Sequence, residues 1–149
     1  MSTQKGVMKG TVTEEGAKEI KYLATHVGRA EPEEKFHVWG IMVDEQGEVP
    51  GAGESISFTL VNNDLPSGTY DVNSREVVSA SYIIQPSGPV FEAENGYIKI
   101  ERHPGEPLRI NGLLHFRALA NNGRHVDVHV VYEIEGIHVP PGRRNELQD

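Results

Sequence analysis

Apolar and polar residues alternate along most of this chain, in short runs separated by glycine, proline and asparagine. Period-two alternation is the mark of a strand with one face buried. The pattern predicts strands at Gly6–Thr13, Phe36–Asp44, Ser55–Val61, Thr69–Val72, Val77–Ile84, Val90–Glu94, Tyr97–Arg102, Leu108–Ala120 and Arg124–Val139. Such spacing makes an all-β fold, an antiparallel β-sandwich or small β-barrel of roughly eight to nine strands, and the pattern does not choose between them. Ala17–Val27 is the exception. Ile20, Leu23, Ala24 and Val27 recur at helical spacing and Gly28 stands where a C-terminal cap would be, so one short helix at 17–27 is expected. The competing reading takes Ile20, Tyr22 and Ala24 as one face of a strand.

The run from Leu108 to Val139 is a hairpin whose register follows from its side chains. A two-residue Asn-Gly turn would set Phe116 opposite His129 and Ala118 opposite Asp127, mixing core and solvent faces. A three-residue loop with Gly123 in the left-handed conformation instead pairs Ala118 with Val126, Phe116 with Val128, Leu114 with Val130 and Ile110 with Ile134. It also sets Arg117 opposite Asp127, Arg109 opposite Glu135, and Tyr132 across from Gly112, where a ring covers bare backbone. The outer face of this hairpin then carries His115 opposite His129 and Leu113 opposite Val131, with His125 and Asp127 close by. A face that mixes histidine with apolar residues is not an ordinary solvated face.

Composition narrows the classes. A chain of 149 residues matches one domain, and no repeat or linker divides it. The ends, 1–5 and 140–149, lack apolar periodicity and are expected to be mobile. With no cysteine there is no disulfide framework, thiolate metal site or cysteine nucleophile. No signal-like or membrane-spanning run is present, which makes a cytoplasmic, membrane-free protein the expectation. A formal charge of −8, with 14 Lys and Arg that form no basic tract, disfavours nucleic acid as a partner.

Candidate chemistry is sparse. His125, Asp127 and His129 leave one side of a strand and His115 lies across from His129, so these four residues are candidate ligands for a divalent metal, the one cofactor the sequence admits. Against this stand Arg117, which competes for Asp127, and the ordinary solvation of histidine on a polar face. Trp39 shares a strand face with His37, Ile41 and Val43, company that predicts core packing, or the lining of a small-ligand cavity if the strands close as a barrel. Gly51, Ala52 and Gly53 precede no helix and lack the phosphate-cradling arrangement. Glu31, Glu33 and Glu34 lack the ligand series of a calcium loop and read as a solvated connection. No catalytic residues are identified: the sequence has no Gly-x-Ser-x-Gly elbow, and the Glu92, Glu94 and Glu101 spacings are common in any strand.

Ser67-Gly68-Thr69-Tyr70, Gly96-Tyr97-Ile98-Lys99-Ile100 and Ile110-Asn111-Gly112-Leu113-Leu114-His115-Phe116 give the stretch 55–139 a partial resemblance to uncharacterised bacterial small β-barrel or β-sandwich proteins, many of them lipoproteins. The resemblance implies an all-β fold and brings no catalytic residue. This chain lacks the lipidation cysteine, which sets it apart from the envelope members.

The expectation is a non-enzymatic binding or interaction module, a homo-oligomer or the partner of another protein, that makes contact through Leu113, His115, His129 and Val131. A metal-binding protein or metalloenzyme built on the histidine face, and a small apolar-ligand barrel built around Trp39, are the alternatives.

Overall fold

A computed structural model of the chain describes residues 5–17, 19–43, 53–85, 88–104 and 109–136. Of the ends expected to be mobile, all but Lys5 lie outside the described residues, and Lys5 opens the first strand. The strands are β1 (Lys5–Glu14), β2 (Glu19–Leu23), β3 (His26–Ala30), β4 (Phe36–Val43), β5 (Gly53–Leu60), β6 (Gly68–Asp71), β7 (Val77–Gln85), β8 (Val90–His103), β9 (Arg109–Ala120) and β10 (His125–Glu135). They form one antiparallel sheet in the order β2-β1-β10-β9-β8-β7-β5-β4-β3, with β6 pairing β8 beside β7. This single sheet curls into a half-barrel, which decides between sandwich and barrel. Among the described residues no helix is long and apolar enough to cross a membrane.

The expected helix at 17–27 is instead two strands. Glu19–Leu23 pairs with β1, and after a bend His26–Ala30 pairs with β4. The bend carries the curl: Ala24 donates its N–H to the Met8 carbonyl of β1 (2.9 Å) and the next residue, Thr25, donates to the Ile41 carbonyl of β4 (2.8 Å). Adjacent residues are thus bonded to strands from opposite ends of the sheet. Gly28, expected to cap a helix, lies in β3 opposite Trp39.

The hairpin of β9 and β10 has the expected register, from His125 opposite Leu119 to Glu135 opposite Arg109. Its loop closes with Gly123 at φ +87° and an N–H bond from Gly123 to the Ala120 carbonyl. Two expected strands, Val90–Glu94 and Tyr97–Arg102, are one. The interruption read between them is a bulge between Ala93 and Asn95, relaxed by Gly96 at φ +124°, where a Cβ would stand 2.2 Å from the His115 carbonyl oxygen. Residues 137–139, expected to extend β10, and Leu108, expected to start β9, lie outside the described residues.

Alternation sends one set of side chains inward. Phe36, Phe58, Phe91, Phe116, Ile98, Ile100, Leu114 and Val128 are fully buried there, each worth roughly 1.5–3 kcal/mol of transfer free energy. Phe58 packs between Phe36 and Tyr132, with ring centroids at 6.3 and 5.7 Å. The other set faces out, and that is where the candidate site sits.

Candidate interaction face

Across the outer wall, pairing aligns residues into rows. One row runs Lys21, Thr11, His129, His115, Tyr97, Asp71 from β2 through β1, β10, β9 and β8 to β6. The row beside it runs Leu23, Lys9, Val131, Leu113, Lys99, Thr69. Strand alternation forces these residues outward because their neighbours Val130, Leu114 and Ile98 are committed to the core. Leu23 remains 60%, Val7 50%, Val131 45% and Tyr97 38% exposed, so the wall presents apolar surface to water.

At its centre the imidazoles of His115 and His129 stack, centroids 4.6 Å apart and planes 13° from parallel. The Tyr97 ring meets His115 edge-on at 5.7 Å and fixes its side of the stack. Among the described residues no side chain or backbone group hydrogen-bonds either imidazole. Two shallow grooves flank the stack. One of about 570 Å³ is lined by Val7, Lys99, Leu113 and Glu133, and one of about 590 Å³ by Thr11, Lys21, Leu23 and His129; they meet at Lys9 and Val131.

Of the four residues read as metal ligands, the structure brings two together. His125 turns to the carboxylates of Glu94, 2.9 Å from Nε2, and Glu15, 3.5 Å from Nδ1. Asp127 stands opposite Arg117 as expected, but the guanidinium reaches Glu15 at 3.0 Å. Among the described residues no group of three or more His, Cys, Asp or Glu is placed to hold a metal ion. All four interface residues, Leu113, His115, His129 and Val131, do share one surface.

Trp39 departs from both readings made of it. It points outward, where its indole stacks on His37 at 5.6 Å with planes 20° apart, and it neither fills the core nor lines an internal cavity. His37 Nδ1 lies 2.8 Å from Thr59 Oγ1, and burial pushes the His37 imidazole below its ordinary value, partly opposed by a hydrogen bond with the Phe58 backbone.

Two polar clusters at the barrel's ends escaped sequence reasoning. Arg29 is buried, pairs with Glu31 at 3.0 Å and lies 5.0 Å over the Phe36 ring. Arg102 lies at the same distance from that ring and donates to the Leu65 and Asn63 carbonyls. Glu31, read as solvated, therefore neutralises an interior cation. At the other end the Tyr82 hydroxyl bonds the Glu54 carboxylate and Tyr22 donates to the Glu54 carbonyl at 3.3 Å, while burial and the Glu54 charge push both phenols up. These clusters place hydrogen-bonded and ion-paired groups at the two ends of the interior, and an arginine two residues before a glutamate was the only sequence signal for them.

No protein family, curated protein or solved structure matches this chain. The functional reading therefore rests on the face itself.

Proposed function

We propose that this protein is a non-enzymatic interaction module that associates with a second copy of itself through the outer wall of β9 and β10. One observation carries the reading: the wall is self-complementary about an axis running along the strands between β9 and β10. That two-fold operation lays each row on itself with left and right exchanged. Val131 of one copy then meets Leu113 of the other, His129 meets His115, Asp127 meets Arg117 and Thr11 meets Tyr97. On the receding flanks Lys21 faces Asp71, too far for contact but of opposite sign. Two pairs are exceptions: Val7 faces Glu101, and Lys9 faces Lys99, the latter softened because Glu101 lies 3.6 Å from the Lys99 ammonium.

Size sets the expected strength. From β1 to β8 the wall spans roughly 14 Å, and from Asp127 to Glu133 it runs roughly 20 Å, a footprint of about 300 Å². A standard stable interface buries about 800 Å² per partner, so association is weak and visible only at high concentration. Sedimentation equilibrium of the metal-free protein, from roughly 10 µM to 1 mM, a span chosen for affinities weaker than micromolar, tests this. The expected result is a mass that rises with concentration, and that a Val131→Glu variant holds at the single-chain value. A wild-type mass constant at one chain across the range overturns the reading, as does association that Val131→Glu leaves intact.

A further inference from the structure

We propose that the His115–His129 pair is half of a zinc site, completed by the same pair from a second copy. The inference rests on the self-associating face above and says what its centre does. Two imidazoles stack at 4.6 Å, exposed and without hydrogen-bond partners among the described residues, so their ring nitrogens are open to a ligand. Two nitrogens on one tetrahedral zinc, bonded at about 2.0–2.1 Å, stand about 3.3 Å apart with each bond in the plane of its own ring, so the two rings turn out of their stack to converge on the metal. Among the described residues the donor set within one chain ends there, because His125 is engaged with Glu94 and Glu15 and no third His, Cys, Asp or Glu is placed to join the pair. A pair of nitrogens leaves half of a tetrahedral shell to water.

The two-fold axis supplies the rest. It runs between His115 and His129, so the second copy's rings arrive on the same axis and four imidazoles surround one point. Electrostatics favours the same arrangement. Each chain carries a formal charge of −8, which opposes association, and neutral imidazoles leave the full positive charge of the metal at the junction to offset it. The small footprint is then no obstacle, because metal–ligand bonds add what apolar contact lacks.

The test is zinc titration of the full-length, metal-free protein at a concentration where it is monomeric, followed by sedimentation and by bound-metal analysis. The expected result is one zinc per two chains, with dimerisation tightened by roughly 5- to 150-fold, the usual size of coupling between binding events. Cobalt(II) in place of zinc should give the intense visible absorption of a tetrahedral site. His115→Gln and His129→Gln should each abolish binding while keeping the wild-type circular dichroism spectrum, and His37→Gln should change nothing. Zinc bound one per chain with no change of mass overturns the shared site, as does binding that survives both histidine variants. If zinc does not bind but concentrated metal-free protein still dimerises and Val131→Glu prevents it, the metal site fails and the interface stands. If zinc dimerises a protein that is monomeric without it at every concentration, the shared site stands and metal-free association fails.

Discussion

Two histidines on opposite sides of this barrel sit in the same local pattern, on an outward face beside an aromatic ring, and end in different states. His37 is stacked on Trp39 and held to Thr59, with the short side chains Ser57, Ser79 and Ser81 beside the pair, so this part of the β4-β5-β7 wall covers itself. His115 is stacked on His129 with its nitrogens open, and the residues around the pair are Leu113, Val131, Lys9 and Lys99, too long or too apolar to be satisfied by one another. A histidine on a strand face is therefore informative only with its cross-strand neighbours. The Thr59 hydroxyl bonds the His37 ring, whereas Thr11, which faces His129 from β1, makes no such bond and leaves the imidazole pair open.

The largest expected effect removes one side of the comparison altogether. Gly10 faces Val130 at the junction of β1 with β10, and a Cβ there would lie 2.0 Å from the His129 carbonyl oxygen and 2.6 Å from the Val130 Cα. These are backbone atoms and cannot rotate away. Gly10→Ala should push β1 off the histidine wall and cost roughly 3 kcal/mol or more, with loss of self-association. Urea denaturation checks it, and a midpoint within error of wild type would mean that β1 is not seated as described.

A smaller pair of effects separates the walls. Trp39→Ala strips the cover from His37 and Gly28 and should cost roughly 1–3 kcal/mol of stability while leaving association intact. Val131→Glu should do the reverse, changing stability by no more than about 1 kcal/mol while abolishing association. Paired measurements of denaturation midpoint and sedimentation on both variants decide it. Equal losses of association would erase the distinction between a self-covered wall and an open one.

Much of this was legible in the sequence where one rule governed alone. The β9–β10 register followed because every inward residue from Ile110 to Ala120 and from Val126 to Ile134 obeys one alternation and a single glycine sets the loop. The helix expected at 17–27 failed for a physical reason. The inward residues of the bent strand are Tyr22 and Ala24, then Val27 and Arg29, and the step of three at the bend imitates a helical period. Leu23 and Ile20, which completed that false stripe, are exposed. The Glu94-Asn95-Gly96 bulge likewise reads as a turn, because both need a residue at positive φ. Trp39 was placed inside because its strand has apolar residues on both faces, and only the pairing of Val38 with Phe58 tells which face is core. The pair at 115 and 129 was legible, while its isolation from His125 depended on Glu15 and Glu94, carboxylates from distant segments.

The smallest effect expected is one of acid, and it belongs to the covered histidine. Burial holds the His37 imidazole below its ordinary value, so the folded chain resists a proton that the unfolded chain accepts from about pH 6.5 downward. Protons bound by the unfolded state alone favour unfolding. His37 should therefore contribute nothing to the pH dependence of stability above that point and a progressive loss as pH falls below it, ending once the folded form also titrates. His37→Gln keeps a polar partner for Thr59 but does not titrate, and should flatten this part of the stability–pH curve. Urea midpoints at about pH 8, 6.5 and 5.5, bracketing the histidine range, make the comparison. A slope as steep in His37→Gln as in the wild type would overturn the assignment of this acid effect to the covered histidine.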